Sequence, residues 1–61
     1  MRLYVETMDA VVEEFDADGR VRFQSGEWAT PSVQERRAII HAAQLELESL
    51  NELLESMRAD A

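Results

Sequence analysis

VVEEFDADGRVRFQ, residues 11–24, decides the fold. Asp16-Ala17-Asp18-Gly19 suits a type I turn closed by a glycine in the left-handed region, a common hairpin connection. Charge tests the register. If Asp16 stands opposite Arg20, then Phe15 faces Val21, Glu14 faces Arg22 and Glu13 faces Phe23. One face of the ribbon then carries Val11, Phe15, Val21 and Phe23. The other carries the opposite-charge pairs Asp16–Arg20 and Glu14–Arg22, which are favourable directly across strands. Turn chemistry and charge pairing agree, so a hairpin is expected.

Upstream, MRLYVET alternates like a strand, with Leu3 and Val5 on one face, and predicts a first strand at 2–7 and a turn near Met8-Asp9. The same region also fits a helical stripe through Tyr4, Val5, Met8, Val11, Val12 and Phe15, which leaves a short helix at 3–15 as the alternative. A third strand favours the first reading, because a lone two-stranded ribbon is marginal in water. The nine residues FDADGRVRF resemble a single copy of the tyrosine-aspartate repeats of large bacterial shell-forming toxins. Those repeats work in long arrays, so one copy implies shared hairpin chemistry and no shared function.

Downstream, SGEWATP (25–31) reads as a connector. Thr30-Pro31 suits a helix N-cap and first helical position, and Ser32 with Glu35 offers a capping box one step later. Nothing breaks the helix between 32 and 58. The expected fold is α+β: a small antiparallel meander of two or three strands (2–24), then one long amphipathic helix, in a single domain spanning 1–61.

The helix carries an apolar stripe at spacings of three, four and seven: Val33, Ile40, Ala43, Leu47, Leu50, Leu54 and Met57, widened by Ile39 and Leu53. This is a heptad-like seam. About 27 helical residues span about 40 Å, whereas strands of five to seven residues span only about 17–24 Å. A sheet beside the helix leaves roughly half the stripe uncovered, and contiguous exposed apolar patches are rare on monomers. A second copy, a groove on another protein, or a bend near Ser49-Leu50-Asn51 are the three possible covers. Ile40, Leu47, Leu50, Leu54 and Met57 are the candidate oligomer seam.

Beside that seam, Glu48, Glu52 and Glu55 fall within about 60° of one another on the helical wheel, on the side of His41 and Gln44. Like charges one turn apart oppose helix formation, and acid at a helix C-terminus opposes the dipole. Such a ridge suits a partner with a phosphate-binding track, although a solvated glutamate face is the plain alternative. Glu46 sits at the stripe's edge, placed to pair with Arg36 or Arg58 of another copy.

Composition narrows the function classes. The chain has 61 residues, a net charge of −7, no cysteine and one histidine. Disulfides, thiolate metal sites and a multi-histidine site within one chain are therefore excluded. So small a domain has a marginal core and commonly adds a partner when disulfides and metals are missing. All six cations are arginine, too few for direct binding to nucleic acid; an anionic membrane repels the chain as well. A basic protein partner, of the kind that binds nucleic acid, fits the charge. The first ten residues hold no signal-peptide core and no run is long enough for a membrane span, so a soluble, cytoplasmic protein is expected.

No catalytic constellation appears. His41 stands on a polar helix face without a nucleophile or a second base, and two glycines make no phosphate-cradling loop. Asp16, Asp18 and Gly19 lack the remaining ligands of a calcium loop. Tyr4 and Trp28 read as core anchors, Trp28 packing over Val33. The expectation is a non-enzyme without cofactor. Two binding classes remain. In one, the protein occupies a basic, nucleic-acid-binding surface of a partner through Glu48, Glu52 and Glu55, aided by Glu13, Glu14, Asp16 and Asp18. In size and charge the whole chain resembles the DNA-mimicking anti-CRISPR and anti-restriction proteins of phages, and that resemblance implies an inhibitor. In the other, it is a homodimeric structural or regulatory module, antitoxin-like or adaptor-like, assembled through its helix seam.

Overall fold

The computed structural model describes residues 1–59. Four short antiparallel strands run as a meander, β1 (Leu3–Val5), β2 (Ala10–Phe15), β3 (Val21–Phe23) and β4 (Trp28–Ala29), and one helix, α1 (Val33–Ala59), follows. The α+β expectation holds, with one strand more than the sequence announced.

The first strand is shorter than 2–7. It ends at Val5, and Glu6–Met8 form a single 3₁₀ turn instead. Asp9 closes that turn in the left-handed region (φ 48°), its N–H donating to the Glu6 carbonyl at 3.1 Å. Aspartate tolerates this conformation because its short side chain bonds locally, here accepting from the Tyr4 hydroxyl at 3.1 Å. The helical alternative for 3–15 is overturned, since both halves of that segment pair as strands, Leu3 with Val12 and Val5 with Ala10.

The central hairpin forms as its turn chemistry demands. Gly19 takes φ 84° and its N–H donates to the Asp16 carbonyl. Asp16 Oδ1 accepts from the N–H groups of Asp18 and Arg20, and Arg20 Nε reaches Asp16 Oδ2 at 2.7 Å. Phe15 stands opposite Val21 and Glu14 opposite Arg22, as expected. The next pair differs. Val12, not Glu13, stands opposite Phe23, and Glu13 is the extra residue of a β-bulge. A bulge shifts every residue beyond it to the other face. Val12 therefore turns inward and is fully buried, while Val11 stands opposite Tyr4 on the outer face. Arg22 explains the insertion: it ion-pairs with Glu14 at 3.0 Å and Glu13 at 3.5 Å, and Arg2 reaches Glu13 from β1 at 3.2 Å.

The supposed connector holds a second tight turn. Gly26 (φ 92°) donates its N–H to the Phe23 carbonyl at 2.8 Å, repeating the Asp16–Gly19 geometry, and returns the chain as β4 alongside β3. Trp28 stands opposite Arg22 in that pairing. It shares Arg22's outward face, is 46% exposed and lies beneath the Arg20 guanidinium, 6.0 Å from the ring centre. The core placement expected for Trp28 is thus overturned by register, and that of Tyr4, also exposed, by its pairing with Val11.

The helix begins two residues later than Thr30-Pro31 suggests. Ser32 caps it: Ser32 Oγ accepts the Glu35 N–H at 3.1 Å and Glu35 Oε1 accepts the Ser32 N–H at 2.8 Å. This is the reciprocal capping box, and Pro31 is left outside it, buried. From Val33 the helix runs unbroken to Ala59, so the bend near Ser49-Asn51 does not occur.

The core is small. Leu3, Val5, Val12 and Val21 are its buried members; Met8, Phe23, Ala38, Ile39 and Ala42 pack against them. Only the first half of α1 takes part. Its 27 residues span about 40 Å, which accounts for the molecule's longest dimension of 42 Å against 21 and 19 Å for the others.

Candidate protein-binding surface

The helix meets the sheet through Ala38, Ile39 and Ala42. At 100° per residue that face centres about 130° away from the line through Ile40, Leu47 and Leu54. The long apolar seam therefore borders the face that closes the core and shares Ile39 with it, while most of its width lies to one side. Ala38 and Ala42 let the helix lie close on the sheet, and Ile40, Leu47 and Leu54 point sideways. Ile40, Leu47, Leu50, Leu54 and Met57 are each between 48% and 58% exposed, and no residue of α1 is buried.

Two clefts adjoin this seam. One lies between the hairpin tip and the start of the helix, lined by Phe15, Val21, Pro31, Arg36, Ile39 and Ile40. The other lies between the chain's first residues and the middle of the helix, where Met1 and Leu3 face Ala43, Leu47 and Leu50, with Arg2 and Glu46 at its polar edge. Seam and clefts form one apolar flank. Phe15, which shares the inward face of the sheet with Val21, is 70% exposed there, because the helix packs chiefly on β1 and the 3₁₀ turn. The spacing of Phe15 says core, and which strands the helix lies on has no local signature.

The acidic residues are not gathered into one patch. Glu13, Glu14 and Asp16 are neutralised by Arg2, Arg22 and Arg20 around the sheet. The backbone N–H and side chain of Arg20, together with the Asp18 N–H, hold the Asp16 carboxyl below its ordinary pKa. Asp18 sits exposed at the hairpin tip, beside the first half of the helix. Glu48, Glu52 and Glu55 stand exposed along the second half, and among the described residues no cation pairs with them. His41 is exposed on the far flank, near Tyr4 and Glu6.

Among the described residues no helix is long and apolar enough to cross a membrane, and no three His, Asp or Glu side chains converge as a metal site. Compared with protein-family models, with curated proteins and with solved structures, the chain matches none.

Proposed function

We propose that this chain is a non-catalytic protein-interaction module whose long helix seats another amphipathic helix along its apolar seam. One observation carries the reading. Five large apolar side chains, from Ile40 to Met57, stand half exposed in a row on an unbroken helix whose neighbouring face closes the core. Helix-in-groove recognition uses such rows of anchors at spacings of three, four and seven. Flanking clefts extend the row toward Phe15 and Leu3 and give it the concavity that a flat helix face lacks.

A second reading draws on the ridge. Glu48, Glu52 and Glu55 are exposed and free of ion pairs among the described residues, which suits insertion into a basic, nucleic-acid-binding surface. It is weakened because the sheet's acids, its proposed helpers, are occupied by arginine.

The two readings separate in a tagged pull-down from the source cells, comparing wild type with two variants. Leu47→Gln with Leu54→Gln alters the seam; Glu48→Arg, Glu52→Arg and Glu55→Arg together reverse the ridge. Loss of retained protein, own copies included, in the seam variant alone supports the interaction module. Loss in the ridge variant alone transfers the function to the acidic mimic.

A further inference from the structure

We infer that the occupant of the seam is a second copy of this chain, its helix laid antiparallel to the first. The inference rests on the interaction-module reading and names its partner. Four arguments carry it.

The first is size. A chain whose buried core is Leu3, Val5, Val12 and Val21 depends on added burial. A copy of itself is the partner always present when the chain is made.

The second is the layer pattern. Val33, Ile40, Leu47 and Leu54 recur every seven residues, and Arg36, Ala43, Leu50 and Met57 follow each by three. These are the two core positions of a coiled coil. In an antiparallel pair each residue of one set meets one of the other: Val33 meets the partner's Met57, Ile40 the partner's Leu50, Ala43 the partner's Leu47. Large faces small across the Ala43 layers. In a parallel pair Ala43 faces Ala43, and Arg36 faces its own copy in the seam. Antiparallel packing sets Arg36 against the partner's Leu54 instead, where its stem packs and its guanidinium reaches solvent.

The third is charge. Residues 33–45 carry one glutamate and two arginines, while residues 46–59 carry four glutamates and one arginine. Antiparallel pairing brings Arg37 level with the partner's Glu55 and lays each acidic helix end beside the positive end of the other helix dipole. Parallel pairing lays acid beside acid. Near the two-fold axis the two copies' Glu46 side chains come close to each other rather than to Arg36 or Arg58, and Arg2, which lines the same cleft as Glu46, is the cation placed to offset them.

The fourth is Phe15. Antiparallel pairing runs the partner's second helical half past residues 33–40, the side on which the Phe15 cleft opens. The partner's Leu53 and Met57 then cover an aromatic ring that its own chain leaves bare.

The test is sedimentation equilibrium of the full chain across a wide dilution series. A particle of twice the 7.0 kDa chain mass is expected, and Leu47→Gln with Leu54→Gln should return it to one chain. Surface variants guard against simple unfolding. Arg37→Glu should weaken the dimer by roughly threefold to tenfold, as expected for two exposed charge pairs, and adding Glu55→Arg should restore it. The chain has no cysteine, so single cysteines report orientation. Gln44→Cys, close to the axis, should cross-link to its mate. Met57→Cys should not, its mate being about 36 Å away at 1.5 Å per residue. Cross-linking through Met57→Cys rather than Gln44→Cys overturns the antiparallel arrangement. A wild-type chain monomeric throughout overturns self-pairing altogether; the interaction reading then stands or falls on the pull-down of foreign protein by seam and ridge variants.

Discussion

Single residues decide this small fold because so few are buried. Val12 is fully enclosed, and truncation to alanine should cost about 2 kcal/mol, at the low end for core deletions. In a core of this size that is a large share of the total, and urea titration should show the midpoint fall steeply. Gly19 is a separate case. A β-carbon there meets open space, yet φ is +84°, so Gly19→Ala should destabilise by about 1–2 kcal/mol through backbone strain alone. Gly26, at φ +92° with the same open surroundings, should behave alike. Asp16 brings pH dependence. Its carboxyl is held below its ordinary pKa, first by the Arg20 N–H and then by the Arg20 side chain and Asp18 N–H. The unfolded chain therefore takes up this proton at higher pH than the folded one. The stabilisation is present above the ordinary carboxylate pKa and is lost as pH falls through the depressed one. Thermal melts of wild type and Asp16→Asn should differ at neutral pH and converge in acid.

At the scale of the element, local chemistry was legible and long-range geometry was not. Asp16-Ala17-Asp18-Gly19 announced a hairpin, and Phe15–Val21 and Glu14–Arg22 set the true register close to the turn. The bulge at Glu13 escaped because it answers a tertiary demand. Arg22 can engage two glutamates while Val12 turns inward only if one residue is inserted. A clue was present in the adjacent Val11-Val12 and Glu13-Glu14, which break strict alternation. Ser25-Gly26 likewise repeated the turn signal of Asp18-Gly19, and reading it so would have placed β4 and turned Trp28 outward. The helix start depended on Ser32 and Glu35, and the box they form makes Ser32→Ala worth about 1 kcal/mol; circular dichroism melts should register the loss. Of the candidate site, the seam could be read from spacing and the overhang from length. The angle between seam and sheet could not, since it follows from Ala38 and Ala42 admitting the closer approach.

For the whole molecule, the contrast is between a compact half and an extended one. Sheet and first helical half share a small core, and the second half projects from it with its leucines bare. Both halves are acidic, but around the sheet Glu13, Glu14 and Asp16 pair with arginine, whereas Glu48, Glu52 and Glu55 along the projecting helix meet no cation among the described residues. Added salt should therefore screen the sheet's exposed ion pairs and weaken them slightly. It should stabilise the helix end, where neighbouring glutamates repel, and helicity measured across a salt series should rise. Dilution should lower the melting temperature if the seam is filled by a partner, because association adds to stability by mass action.

The projecting helix has one more consequence. Beyond the sheet, its backbone amides are guarded only by the helix's own ladder, since among the described residues no other element lies against them. Deuterium uptake along residues 51–59 is therefore a built-in gauge of occupancy: rapid when the helix stands alone, slow when another helix lies along it, with the amides of β2 and β3 as the internal standard.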